Sequence, residues 1–321
     1  MSIVFGPIPS RRLGRSLGIN NIPPKTCSYS CVYCQVGKTT NMTTERQTFY
    51  KPEDVLKSVK TKVDEAISRK EQVDYLTFVS DGEPTLDLNL GREISLLKRI
   101  GVPIAVLTNA SLIWRDDVKE DLLKADLVSL KVDAVSEDLW RQMNKPHKDI
   151  EIDAALEGTA DFVKESRGKV ISETMLIDGI SCEYESERIV EFLKNLERLD
   201  KAYIAVPTRP PAEKGIRPAP EETINAVFQV FSERLGANKV ECLTGYEGNA
   251  FAFTGSLEED LLSITAVHPM RKQAVAALLK KANADWNIIE KLLQEGKLRE
   301  LEYGGNLFYM RKLRVLQPVY R

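Results

Sequence analysis

Apolar positions along the chain switch repeatedly between a short, strand-like period and a longer, helix-like one. The short runs predict strands at Ser16–Asn20, Val73–Val79, Ile104–Thr108, Leu127–Asp133, Val170–Leu176 and Ala202–Val206. Amphipathic spacing between them predicts helices at Pro52–Arg69, Leu90–Ile100, Asp116–Lys124, Ile152–Glu165 and Glu183–Leu199, and a further helix, Pro220–Leu235, follows the last strand. Pro52 and Pro220 suit a first helical position, where the missing N–H would be unpaired anyway. Strands alternating with helices imply parallel pairing. Six such units fit a doubly wound sheet or an incomplete barrel, and both collect chemistry at the C-terminal ends of the strands.

After about Gly236 the pattern changes. Val240–Leu243 reads as a terminal strand and Thr244–Gly255 as a glycine-containing connector. Helical patterns follow at Leu257–Ile264, Pro269–Ala282 and Ala284–Gln294. Two alternating runs, Leu298–Tyr303 and Leu307–Lys312, flank Gly304–Gly305–Asn306, a strong hairpin signal. Three helices and a hairpin read as a winged-helix module. The expected division is therefore 1–250 for the α/β unit and 251–321 for the winged helix.

Composition sharpens this picture mainly by exclusion. Over 321 residues, 45 Lys+Arg nearly cancel 47 Asp+Glu, so no global basic field steers the chain to nucleic acid or to an anionic membrane. The longest apolar runs, such as Ile104–Thr108, are too short to cross a bilayer, and the first residues lack a secretory pattern. A cytoplasmic protein is the expectation. Over Ser256–Arg321 there are 11 Lys+Arg and 8 Asp+Glu, and the third helix carries Asp285, Glu290 and Glu295 against Lys291. A groove-reading helix needs phosphate-neutralising charge. Basic residues gather instead at the hairpin and terminus, at Arg311, Lys312, Arg314 and Arg321. The module is expected to dock on protein or on its own chain rather than on nucleic acid.

The sharpest chemical signal is Cys27, Cys31 and Cys34, three of five cysteines within eight residues. Structural zinc wants four ligands, usually as two separated pairs, and would need His147 or His268 to fold back. Three thiolates on one loop fit an iron–sulfur cluster with one open iron better. Cys182 and Cys242 are isolated and read as inert thiols.

Cys-x3-Cys-x2-Cys, with Tyr33 just before the third cysteine, resembles the radical S-adenosylmethionine (SAM) superfamily. The resemblance implies a partial (β/α)6 TIM-type barrel. It also implies a [4Fe–4S] cluster on Cys27, Cys31 and Cys34, whose open iron chelates SAM. Electron transfer then cleaves SAM to a 5′-deoxyadenosyl radical that abstracts hydrogen from a substrate. The run from Phe5 to Cys27, the motif Ser80-Asp-Gly-Glu-Pro84, and Ser129-Leu-Lys-Val-Asp-Ala134 followed by Met143-Asn-Lys-Pro-His147 narrow the resemblance. They resemble a subgroup that includes the wyosine-forming tRNA enzymes and their bacterial relatives, over roughly residues 3–240. Those tRNA enzymes use a second cluster on N-terminal cysteines. No cysteine precedes Cys27 in this sequence, a departure that puts wyosine-type chemistry in doubt, since a related sequence can share a cofactor without sharing a reaction.

The same resemblance assigns further roles. The turn Asp81, Gly82 and Glu83 is expected at the amino group of the SAM methionine. Asn109 is expected at its carboxylate or at substrate, Asp133 at a ribose hydroxyl, and Tyr33 and Val206–Arg209 near the adenine. From the residues alone, Asn109 and Asp133 follow strands, where polar groups build sites. Lys131 shares a face with Asp133 and either neutralises a carboxylate or pairs with it. Arg11, Arg12 and Arg15 recognise an anionic substrate or form structural ion pairs. Arg209 is a candidate for a substrate phosphate or carboxylate, Pro207–Pro220 for an ordered loop over the barrel mouth, and His147 for a proton shuttle or a plain loop residue. The implied partners are a one-electron donor, flavodoxin or ferredoxin, and an unidentified substrate, RNA or peptide. Three other readings stand beside this one: tRNA base modification of the wyosine type, a cluster-dependent redox regulator, and a zinc scaffold.

Overall fold

In the computed structural model, residues 3–180 and 182–312 are described. The chain opens with an antiparallel pair, β1 (Val4–Ser10) and β2 (Gly14–Ile19), followed by two short strands, β3 (Thr26–Cys27) and β4 (Asn41–Met42). Then come α1 (Pro52–Ser68), β5 (Tyr75–Phe78), α2 (Leu90–Leu97), β6 (Ile104–Thr108), α3 (Asp116–Leu122) and β7 (Leu127–Lys131). The alternation continues through α4 (Glu137–Asn144), α5 (Ile152–Glu165), β8 (Lys169–Met175), α6 (Cys182–Lys194), β9 (Lys201–Ala205), α7 (Glu221–Leu235) and β10 (Val240–Leu243).

The large sheet has eight strands in the order β1-β2-β5-β6-β7-β8-β9-β10. Every neighbouring pair from β2 to β10 is parallel. It curls into a half-barrel, with β1 and β10 at its edges, and all six expected strands lie in it. Strand alternation separates its faces. Ile104 and Val106 point outward into a core shared with Val55, Val59 and Val63 of α1, Ile94 of α2 and Val118 of α3. Ala105 and Leu107 point inward with Ile171, Tyr203 and Leu243. In α1, Pro52 opens the helix, Glu53 and Asp54 face its positive end, and the valines recur every fourth residue on the buried face. Each fully buried valine contributes roughly 1.5–3 kcal/mol of transfer free energy.

Several elements depart from the sequence expectation, β1 and α4 among them. β1 carries Pro7 and Pro9, which break the apolar alternation. Proline is tolerated because β1 is an edge strand, with no strand paired on its other side among the described residues. The helix α4 is short and amphipathic, burying Trp140, Met143 and Asn144.

Beyond β10 lie α8 (Leu257–Val267), β11 (Met270–Arg271), α9 (Lys272–Lys281), α10 (Asn287–Gln294), β12 (Leu298–Tyr303) and β13 (Asn306–Arg311). The expected helix at Pro269–Ala282 starts later, because Met270 and Arg271 pair with Tyr309 and Phe308 to complete a sheet in the order β11-β13-β12. This segment has its own core, including Phe251, Leu261, Ile264, Leu278, Ile289, Leu292 and Tyr309. Ile8 of β1 packs against that core, and Ala252 N–H donates to Pro7 O at 3.0 Å. A buried Lys62 in α1 binds Asp260 of α8 at 3.0 Å and also contacts Thr254. Among the described residues, no helix is long and apolar enough to cross a membrane. Arg314 and Arg321 lie outside the described residues, as does the side chain of Cys182.

Candidate functional site

The cysteine loop leaves β2 and runs across the C-terminal ends of the parallel strands. Its backbone is held from three sides. The C-terminal turn of α4 accepts from Ser30 N–H (Asn144 O, 3.0 Å) and Val32 N–H (Met143 O, 2.9 Å), while His147 N–H donates to Ser28 O at 2.8 Å. Lys145, with φ of 44°, adopts the left-handed conformation that ends this helix. From a second side, Lys25 N–H donates to Asp81 O at 2.7 Å and Glu83 N–H to Thr26 O at 3.2 Å. Gly82 is required there: a Cβ would lie 1.8 Å from Thr26 O. From a third side, Glu213 N–H donates to Val32 O at 3.1 Å, so the Pro207–Pro220 segment is tied to the loop rather than lying free on the surface.

Cys27, Cys31 and Cys34 line one cavity of about 220 Å3 with Tyr33, Asp81, Gly82, Glu83 and Asn109. Amides face two of the thiols: Asn109 Nδ2 lies 3.6 Å from Cys27 Sγ, and Asn144 Nδ2 lies 3.5 Å from Cys31 Sγ. Burial pushes all three thiols up in pKa, Cys31 to about 12. Thiols so placed ionise readily only when a cation arrives to take the proton's place. Among the described residues, no three His, Cys, Asp or Glu side chains converge on a single-ion site.

Asp81 is 2% exposed, and neither carboxylate oxygen has a partner among the described residues. Burial pushes its carboxyl up to about 7. Such a group awaits a donor or a positive charge. Glu83 is different. One of its oxygens accepts from Thr108 Oγ1 at 2.6 Å and Thr85 Oγ1 at 2.7 Å, and the other accepts from Asn109 N–H at 2.7 Å. Its carboxylate therefore braces the ends of β5 and β6, although it also faces the cavity.

Asp133 stands behind the cavity rather than in its wall. It accepts from Asn144 Nδ2 at 2.7 Å, from Met175 N–H at 2.9 Å and from the Tyr33 hydroxyl. The residue expected at a ribose thus ties the cysteine loop to α4 and β8. Lys131 lies 2.7 Å from Glu173 and 3.5 Å from Asp133, and its ammonium lies 5.0 Å from the Tyr33 ring centroid. Glu173, flanked by Arg12 and Lys131, is held down to about 2 despite burial.

The three N-terminal arginines part company. Arg12 joins Glu173 inside the half-barrel, and Arg11 donates to Leu243 O at 2.8 Å. Arg15 turns away to Glu71 at 2.7 Å, a structural ion pair. His147 stands outside the cavity wall, its Nδ1 accepting from Asp149 N–H at 3.3 Å. Sequence reasoning did not assign a role to Asn144 or Gln35. Asn144 sits within the Met143–His147 motif, which was its one available signal. Gln35, next to Cys34, accepts from Arg209 at 2.7 Å.

Comparison with known proteins agrees with this geometry. Residues 21–193 match the Radical SAM superfamily. A UPF0026 protein of Methanocaldococcus jannaschii is 51% identical over 98% of this chain and 97% of its own length. A structure of TYW1 with a lysine-pyruvate adduct bound superposes with a TM-score of 0.54 at 19% identity, covering 68% of this chain and 73% of that one. A radical SAM methyltransferase from Sphaerobacter thermophilus also gives 0.54, at 15% identity, over 71% of this chain and 66% of its own. These two structural matches speak for the fold. The chain belongs to the radical SAM superfamily of enzymes and, with its M. jannaschii relative, to the UPF0026 proteins.

Proposed function

We propose that Cys27, Cys31 and Cys34 hold a [4Fe–4S] cluster, and that the chain uses it to cleave SAM and abstract hydrogen from a substrate in the half-barrel. The observation that carries this reading is the convergence of three thiols and the unpartnered Asp81 on one cavity at the C-terminal strand ends. When bound, the cluster and SAM supply an electron and a 5′-deoxyadenosyl radical. The protein's own residues do the rest. The three thiols ligate, and Asn109 and Asn144 orient N–H groups toward two of the sulfurs. Asp81 accepts the cationic amino group of SAM. Glu83 keeps the Ser80–Glu83 turn and Asn109 in register. A flavodoxin or ferredoxin is the external source of that electron. Residues 1–250 form the catalytic barrel and 251–321 a winged helix that docks on it.

Anaerobic reconstitution tests this reading. The wild-type chain should gain a brown chromophore and release 5′-deoxyadenosine from SAM under reduction. Cys27→Ala, Cys31→Ala and Cys34→Ala should do neither. One zinc per chain with no sulfide and no 5′-deoxyadenosine overturns the reading in favour of a scaffold.

A further inference from the structure

A second cavity, of about 300 Å3, opens beside the cysteine cavity toward β8, β9 and β10. The two share Arg12, Tyr33, Cys34, Lys131 and Glu173 in their walls. We propose that this second cavity takes a small acid with an apolar body, its carboxylate or phosphate gripped by the guanidinium groups of Arg11 and Arg209. The inference rests on the radical SAM reading only in calling that acid the substrate.

Charge is the first argument. Arg11, Arg12, Lys131 and Arg209 line the cavity against two carboxylates, Glu173 and Glu247. Glu173 is consumed by Arg12 and Lys131. Lys131 has Asp133 as a second partner. The excess therefore falls on Arg11 and Arg209, which share Glu247 Oε1 at 3.9 and 2.6 Å. His268 adds no compensating or competing charge. Its Nε2 lies 2.6 Å from Arg209, and burial with that neighbouring guanidinium drives its pKa well down, keeping it neutral. An arriving anion would offset this excess positive charge between two part-buried guanidinium groups.

Unfilled hydrogen bonds are the second argument. Arg11 Nε and Arg209 Nε are buried donors with no partner among the described residues. Glu247 Oε2 is a buried acceptor in the same state. Unpaired buried polar groups are rare and mark a missing ligand or water. Two donors and one acceptor suit an acid that also carries a hydroxyl or amino group.

Shape and polarity are the third. Leu107, Met175, Ala205 and Val206 give the cavity an apolar floor. Its volume sits at the low end for small-molecule pockets. The segment after β9 is pinned across this side, with the Tyr303 hydroxyl donating to Pro207 O at 3.2 Å and Arg209 reaching His268. With this segment fixed along one side, a small free molecule fits the space more simply than a polymer strand.

Calorimetric titration of the full chain tests the proposal, with and without reconstituted cluster. The probes are 3-phenyllactate, phenyl phosphate, neutral 3-phenyllactamide and a bulk tRNA fraction. Saturable binding of at least one acid is expected, with the amide about tenfold weaker or worse. The two acids separate carboxylate from phosphate recognition. Arg11→Gln and Arg209→Gln should each weaken the acid about tenfold, and Arg209→Lys should keep part of the affinity. Circular dichroism and melting temperature establish that each variant is folded. Equal binding of acid and amide, undiminished acid binding in both glutamine variants, or binding of tRNA alone overturns the proposal. So does the absence of binding by both acids. Acid binding in protein that never assembles a cluster would leave this inference standing and sink the radical chemistry. A cluster-loaded, SAM-cleaving protein blind to both acids would do the reverse.

Discussion

Gln35, one residue beyond the third cysteine, donates its amide Nε2 hydrogen to Val267 O at 2.9 Å. Val267 ends α8, so the C-terminal segment is hydrogen-bonded directly to the cysteine loop. Arg209 braces the joint by binding Gln35 Oε1 and His268 together. Removing the amide should loosen both partners. Gln35→Ala is expected to cost about 1 kcal/mol of stability and to speed amide hydrogen exchange in α8. Unchanged exchange there would show that the joint is held by apolar packing alone.

Gly82 offers a more drastic test. The Cβ of Gly82→Ala would collide with Thr26 O, one residue before Cys27. Backbone must move, because a carbonyl cannot rotate away while it accepts from Glu83 N–H. Iron and sulfide content after anaerobic reconstitution should fall well below wild type, while far-ultraviolet dichroism stays close to it. Full cluster occupancy in the variant would show that the Ser80–Glu83 turn is free to shift.

Asn144 makes three contacts through one nitrogen, to Asp133, the Tyr33 hydroxyl and Cys31 Sγ. Asn144→Leu keeps the volume and strands the buried Asp133 carboxylate with one donor fewer. The expected loss is about 2–3 kcal/mol, the range for a charged group left under-bonded. Urea unfolding of the metal-free chain measures it. Asn144→Ser should recover part of the loss if the hydrogen bond to Asp133 matters more than the volume.

A pH effect should come from a buried carboxyl in α2. Glu93 is fully buried, and burial together with the neighbouring Asp87 pushes its carboxyl well up, offset only in part by Asn21. Asp121 adds to this, while Arg46 bonds Asp121 and the Asp87 carbonyl. The folded chain then keeps a proton that the unfolded chain releases above the ordinary carboxylate range. Stability accordingly declines as pH rises from that range toward the raised value. Glu93→Gln removes the ionisation while keeping the shape. Its urea midpoint should exceed that of wild type at about pH 8 and match it more closely at about pH 5. Parallel curves for the two proteins across that interval would refute the assignment.

Lys62 and Asp260 tie the barrel to the C-terminal segment through a buried pair, the Asp260 side chain being 1% exposed. Lys62→Met should cost about 3–5 kcal/mol because it leaves a buried carboxylate unpaired. The double variant Lys62→Met with Asp260→Leu should regain most of that. A double variant no better than the single one would place the loss in packing.

Which parts of this molecule were readable in the sequence follows from distance along the chain. Ile104–Thr108 and Ile152–Glu165 were placed to the residue because their periodicity is local. The cysteine trio was readable because its spacing is itself the signal. β1 was missed because Pro7 and Pro9 mimic a loop, and only the edge position makes them tolerable. The bracing role of Asp133 was out of reach. It depends on Tyr33, Asn144 and Met175, which three separate segments bring together. The parting of Arg12 from Arg15 had the same origin, since their partners Glu173 and Glu71 lie 161 and 56 residues away.

The grip of the α4 terminus on the cysteine loop has a thermodynamic consequence. Ser30, Val32 and His147 donate their N–H groups to backbone carbonyls of the chain itself. These bonds share in fixing the backbone of the loop that carries the three thiols, so they lower the ordering entropy that ligation by those thiols has to overcome.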